Sequence, residues 1–201
     1  MKERLIILGC GGHARSILDI LHGNHMTNEI ILVDEHAGEN EYIMSHPVLK
    51  DYKFEGQELI FPAIGDNGQR EVVLNRFMNQ QCITIVSCQA YVGENVVLGK
   101  GTLIAHRVHL GPEAHIGMGC IINTGSIVEH ETEIGDFVHV APGTTICGRC
   151  HIGSRVMLGA GSTVIDKITI CSDVTVGAGS VVVHDITQPG TYVGVPARRI
   201  K

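Results

Sequence analysis

The chain has 201 residues, with 15 Lys and Arg against 21 Asp and Glu, a formal charge of −6. No basic excess marks a nucleic-acid binder, and 44% hydrophobic with 18% charged residues excludes a disordered chain. No apolar run approaches the roughly 18 residues that a membrane span requires. The glycine-rich stretch from Gly9 to Ser16 interrupts the apolar opening, so no signal peptide is expected. Seven cysteines without such a signal point to a reduced, cytoplasmic setting.

In chain order, Leu5-Ile6-Ile7-Leu8 reads as a buried strand that ends at Gly9. Ala14, Ile17, Leu18 and Leu21 then recur at helical spacing. Glu29 to Val33 is a second strand closed by Asp34, and a loop follows from His36 to Tyr42. Leu59-Ile60-Phe61 makes a third strand, running into Ala63-Ile64-Gly65-Asp66. A helix is predicted over Asn67–Asn79, with Asp66 and Gln69 as its capping pair. Cys82 to Val86 is the last strand of this unit. Residues 1–85 thus form a small Rossmann-like α/β domain. Its first turn, Gly9-Cys10-Gly11-Gly12-His13-Ala14, follows a strand and opens a helix, with Asp34 about 20 residues on. Backbone N–H groups at a helix N-terminus suit phosphate, and a carboxylate suits ribose hydroxyls. A chain without a second nucleotide-binding half favours a mononucleotide, such as the UDP of a sugar nucleotide, over NAD.

From Val86 to Val182 every sixth residue is Val, Ile or Leu, without a slip. The residue after this anchor is often Gly, as at Gly93, Gly99, Gly111 and Gly117, and the residue two before it is small or β-branched. Period six fits neither a helix nor simple strand alternation. It predicts a short strand and a tight turn, repeated, with three units closing an 18-residue triangular coil. Residues 86–201 then hold between five and six coils and a C-terminal tail. The glycines after the anchors are expected to supply turn dihedrals.

Seven histidines fall in the coil: His106, His109, His115, His130, His139, His151 and His184. His115 and His151 share a column with Glu133, which reads as a surface ladder. Phase alone does not single out one imidazole as a base. Ala141-Pro142-Gly143, Gly159-Ala160-Gly161 and Gly177-Ala178-Gly179 recur 18 apart and stack on one edge, a groove suited to an extended pantetheine arm. Arg198, Arg199 and Lys201 are either phosphate contacts or a solvated tail. Cys147 and Cys150 point differently and no second C-x-x-C exists, so no metal site is expected.

The stretch from Asn123 to Gly143, with Val128-Glu129-His130-Glu131 at its centre, resembles the PglD/NeuD-type bacterial sugar acyltransferases. So do the opening G-x-G-G-H turn, Asp34, Ala63-Ile64-Gly65-Asp66 and the closing Gly194-Val195-Pro196-Ala197-Arg198. The resemblance implies a left-handed parallel β-helix of hexapeptide repeats. It also implies an acetyl-CoA-dependent N-acetyltransferase acting on a nucleotide-linked amino sugar for glycan or surface polysaccharide synthesis, without a metal. By this likeness His130 is the general base and Glu131 its orienting carboxylate. His139, Gly148, Ala160 and Ala178 meet acetyl-CoA; Gly11, Gly12, His13, Asp34, Glu35, Gly65 and Asn123 meet the acceptor. The chemistry agrees: imidazole accepts a proton near neutrality, and an activated thioester needs no Cys or Ser nucleophile. Homotrimers with sites between subunits are implied. The alternatives are O-acetylation of sialic acid or another sugar, a non-catalytic hexapeptide-repeat binding protein, and an NAD-binding regulator.

Overall fold

The computed structural model describes residues 3–77 and 79–201. The N-terminal unit comprises β1 (Arg4–Leu8), α1 (Gly12–Gly23), β2 (Glu29–Val33), β3 (Tyr42–Ile43), β4 (His46–Leu49), β5 (Leu59–Pro62), α2 (Asn67–Arg76) and β6 (Gln81–Cys82). Its sheet has the order β3-β4-β2-β1-β5-β6, parallel except for the β3–β4 hairpin. That hairpin was not anticipated. Its turn residues Met44 and Ser45 both have positive φ (45° and 70°), where Asn-Gly is the usual signal.

Ala14, Ile17, Leu18 and Leu21 form the buried stripe of α1, as their spacing predicts. The Asp66 side chain caps α2 by accepting from the Gln69 amide at 2.8 Å. The helix ends at Arg76, short of the predicted Asn79; Met78, in that predicted stretch, lies outside the described residues, as do Met1 and Lys2. The strand expected over Cys82–Val86 is two strands. Gln81–Cys82 closes the α/β sheet, and Ile85–Val86 opens the coil.

The coil is a left-handed parallel β-helix with three faces. Strands 18 residues apart pair in register, as in Leu103↔Ile121 on the first face, His109↔Ile127 on the second and His115↔Glu133 on the third. The anchors from Ile104 to Val182 are buried inside the prism. Val86, Val92 and Leu98 are more open, Val92 by 39%, because no coil lies beneath them. Inward hydroxyls pay their desolvation locally: Thr102, Thr132 and Thr144 each donate to a carbonyl 15 residues on, at 2.8–3.1 Å.

The expected role of the glycines after the anchors is corrected. The left-handed residue of each turn lies three positions past the anchor, as at Gly125, Gly143, Glu131 and Arg149. The glycines directly after the anchors are there because the next coil lies against them. A Cβ at Gly111 would sit 2.6 Å from the His130 amide nitrogen.

The α/β unit covers the lower part of the first face. Outward residues Ile85, Leu103 and Ile121 are at most 3% exposed and share one core with the buried stripe of α1. Leu74 of α2 lies against Gly101 and Gly119 on the edge between the third and first faces. At the far end of α1, the Asp19 carboxylate meets His106 Nε2 at 3.2 Å, and His106 Nδ1 meets the Ser87 hydroxyl at 2.6 Å. Ser87 is buried, so this chain of contacts is a clasp rather than a nucleophile. The C-terminal segment is structured: Gly190–Val193 extends the first face in parallel, and Arg198–Arg199 folds back antiparallel on it.

Candidate active site

Three places on the molecule gather the residues singled out from the sequence. The first is the edge between the second and third faces. There His130 and Glu131 occupy consecutive turn positions, both about two-fifths exposed (43% and 44%). His130 Nδ1 lies 2.9 Å from Glu131 Oε2, so the ring donates there and Nε2 is left as the basic nitrogen. Gly148, one coil above, leaves room for the ring: a Cβ there would stand 2.7 Å from His130 Cε1 and Nε2. The His130 hydrogen bond, joined by the Arg149 guanidinium, holds the Glu131 carboxyl below its ordinary range. A proton acceptor with a fixed tautomer and an open approach is what general-base chemistry needs.

The second place is the junction between the two units. His139, on the first face directly above Ile121, receives the Asn123 amide on Nε2 at 3.2 Å and also hydrogen-bonds the Gly65 carbonyl. Its titration is pushed down to about 4, by burial first and then by Arg70. His13, in the first turn of α1, is likewise pushed down to about 4, by burial, then His139, then Arg70. Its Nε2 is buried and, among the described residues, has no protein partner. Arg70, 1% exposed, ties the junction together by donating to the carbonyls of Gly119, Ile64, Gly65 and Phe137 and to Asn67 Oδ1. The junction therefore gathers His13, Gly65, Asn123 and His139 as a set of neutral hydrogen-bonding groups. Gly11 and Gly12 stand at the exposed N-terminus of α1, which has no side-chain cap.

The third place is the edge between the first and second faces. Ala160 and Ala178 lie there, exposed and one coil apart. The neighbouring amides are already used in the ladder, Gly161 N–H to Pro142 O and Gly179 N–H to Ala160 O. Among the described residues no protein acceptor meets the Ala160 and Ala178 N–H groups.

Asp34 has both carboxylate oxygens engaged by the backbone. Oδ2 accepts the Cys10 N–H at 2.7 Å and Oδ1 accepts the His36 N–H at 2.9 Å. It braces the glycine-rich turn as well as facing outward. Glu35 is exposed beside His36. His115, Glu133 and His151 form the expected column on the third face, with His151 Nδ1 3.1 Å from Glu133. Cys150 is buried inside the prism with its thiol 3.1 Å from the Ile165 carbonyl, while Cys147 is half-buried at the edge. Among the described residues no group of three or more His, Cys, Asp or Glu side chains is placed to hold a metal ion, and no helix is long and apolar enough to cross a membrane.

Residues 4–77 match the PglD N-terminal domain, and residues 89–124 and 149–183 match the hexapeptide repeat of succinyl-transferase. The structure of PerB from Caulobacter crescentus, in complex with CoA and GDP-perosamine, is 30% identical. It superposes with a TM-score of 0.89 over 98% of this chain and 97% of that one. The chain belongs to the PglD/NeuD-type family of sugar acyltransferases. The acetyltransferase domain of PglB from Neisseria gonorrhoeae is also similar, at 25% identity and a TM-score of 0.92 over 99% of this chain and all of that one. That domain has also been solved with acetyl coenzyme A, at 25% identity and a TM-score of 0.91. A 101-residue stretch is 32% identical to an uncharacterised protein of Acanthamoeba polyphaga mimivirus; it covers 49% of this chain and 20% of that longer relative.

Two members of these groupings escaped the sequence reading. Arg149 lies between Cys147 and Cys150 and draws no notice there, although 131 plus one coil of 18 leads directly to it. Arg70 lies in the predicted Asn67–Asn79 helix, and no local pattern reveals that the coil would present carbonyls to it.

Proposed function

We propose that the protein is an acetyl-CoA-dependent N-acetyltransferase acting on a nucleotide-linked amino sugar. The observation that carries this reading is the likeness, along nearly the whole chain, to a structure in complex with CoA and GDP-perosamine. The residues fit such a reaction. The acceptor amine attacks the thioester carbonyl, forming C–N as C–S breaks. His130 Nε2 takes the amine proton and returns it to the departing thiolate, while Glu131 stabilises the imidazolium formed in between. The free N–H groups of Ala160 and Ala178 would hold the pantetheine amides. The α1 N-terminus at Gly11 and Gly12 would hold the nucleotide phosphates, with Asp34 and Glu35 beside it. His13, Asn123 and Gly65 would hold the sugar, and neutral His139 would face the acetyl group.

These parts do not meet within one chain. His130 stands on the edge between the second and third faces, whereas His13 and His139 stand on the first face, across the prism. A neighbouring copy's edge can supply what one chain cannot, which supports a homotrimer with sites between subunits. The second face joins the His130 edge to the Ala160–Ala178 edge. Its outward residues Tyr91, His109, Ile127, Thr145, Thr163 and Val181 include no Asp, Glu, Lys or Arg, as suits a face turned toward a three-fold axis.

The test is a panel of UDP-4-amino sugars, GDP-amino sugars and sialic acids with acetyl-CoA, read by release of free thiol. Turnover of a nucleotide amino sugar is expected; turnover of sialic acid alone would show an O-acetyltransferase. Light scattering that gave a monomer would remove the shared site.

A further inference from the structure

We propose that Arg149 is a positioning residue for the base, setting through Glu131 the pH range in which His130 accepts a proton. The proposal rests on the reading of His130 as the base. Arg149 Nε donates to Glu131 Oε2 at 2.9 Å, and this is the same oxygen that His130 Nδ1 meets at 2.9 Å. One carboxylate oxygen is therefore shared between an imidazole and a guanidinium. The arrangement comes from the coil itself. Residues 131 and 149 occupy the same turn position one coil apart, both left-handed (φ 55° and 59°), and Arg149 N–H donates to the His130 carbonyl at 3.0 Å. Backbone and side chain thus hold Arg149 over the pair.

The physical consequence has a definite sign. A carboxylate stabilises a neighbouring imidazolium, and a guanidinium on the same oxygen withdraws part of that stabilisation. Removing the Arg149 charge would therefore make the ring easier to protonate. The guanidinium also fixes the Glu131 carboxylate, which in turn fixes the His130 tautomer. The other charged groups around this edge are Glu129 next to His130, Glu113 one coil below Glu131, Lys167 one coil above Arg149, and Asp166 with the Cys147 thiol one to two coils above. Glu113, Glu129 and Asp166 favour the protonated ring and Lys167 opposes it. Arg149 is the cation that is hydrogen-bonded to the base's own partner.

Arg149→Asn removes the charge and keeps a residue type that tolerates the left-handed backbone. Loss of one half-exposed charge that shares a carboxylate oxygen with the ring moves the acidic limb of kcat/KM up by about half to one pH unit. Activity near pH 6 then falls about 3- to 10-fold, while the plateau at high pH and the KM for acetyl-CoA change little. Arg149→Lys restores most of the lost range, and in a Glu131→Gln background the shift caused by Arg149→Asn is smaller, because only the direct action of the charge on the ring remains. NMR titration of the His130 ring in the protein without substrates, wild type against Arg149→Asn, reads the same shift. This measurement stands even if the acyl-transfer reading fails. An unmoved titration curve overturns the proposal. So does a loss confined to the KM for acetyl-CoA, which would make Arg149 a donor contact instead.

Discussion

The edge that carries His130 and the junction that carries His139 are built from the same six-residue repeat, yet they hold opposite kinds of imidazole. His130 stands on an open turn, with one nitrogen tied to a carboxylate and the other facing a bare glycine. His139 stands on a strand under the α/β unit, with its nitrogens given to an amide and a carbonyl and its charge suppressed. The repeat sets only which way a side chain points; what covers it sets its chemistry. An uncovered imidazole beside a carboxylate can gain a proton during a reaction. A covered one beside Arg70 stays a neutral donor and acceptor.

The largest effect should come from removing the open imidazole. His130→Ala is expected to lower kcat by about 10²–10⁴-fold with an unchanged circular dichroism spectrum, because the position is an exposed turn. Glu131→Ala should lose less. Wild-type turnover in His130→Ala would remove the distinction between the two regions.

Next in size is the brace of the covered region. Arg70→Leu strands the Gly119, Ile64, Gly65 and Phe137 carbonyls. It should cost about 3 kcal/mol of stability, partly relieved by water entering the junction. Denaturant unfolding checks this, and a loss under 1 kcal/mol would mean that the junction is held mainly by apolar contacts.

The pH response of stability probes the same region. His13 and His139 titrate near 4 in the folded protein, below the ordinary 6.5. The unfolded chain therefore takes up protons that the folded chain refuses. This contribution is full above about pH 6.5 and is lost as pH falls toward 4, amounting to on the order of 3 kcal/mol for each. The difference in stability between pH 7 and pH 4.5 should be smaller in His139→Asn than in the wild type. An equal difference in both would show that His139 takes up protons alike in the folded and unfolded chain.

The smallest effect concerns binding at the glycine-rich turn. Asp34→Ala frees the Cys10 and His36 amides. It should raise the KM for the sugar nucleotide several-fold, about 1 kcal/mol, and leave that for acetyl-CoA nearly unchanged, with UDP competing against the acceptor only. Weakened acetyl-CoA binding alone would reverse the assignment of the two regions.

Much of this molecule is legible residue by residue. The anchors from Ile104 to Val182, the 18-residue stacking, the stripe of α1 and the Asp66 cap all follow from spacing, because each is a local rule repeated. The Met44–Ser45 hairpin escaped because its turn lacks the residues that announce one. The glycines after the anchors were legible as a pattern but not as a cause, since the contact that demands them comes from the next coil. The His130–Glu131 pairing was accessible from adjacency and family likeness; Arg149 required placing residue 131 under residue 149.

By itself, the sequence determined the period, the three faces and the chemical types available at each turn, since side-chain direction along a regular coil depends only on phase. Only the tertiary structure decided which of those side chains are covered. The α/β unit settles on the first face, buries Ile85, Leu103 and Ile121, and encloses His139 with Arg70, Asn123 and His13. It leaves the His130 edge open. Burial and the nearest charge govern whether an imidazole takes a proton, and both are supplied by segments distant in the chain.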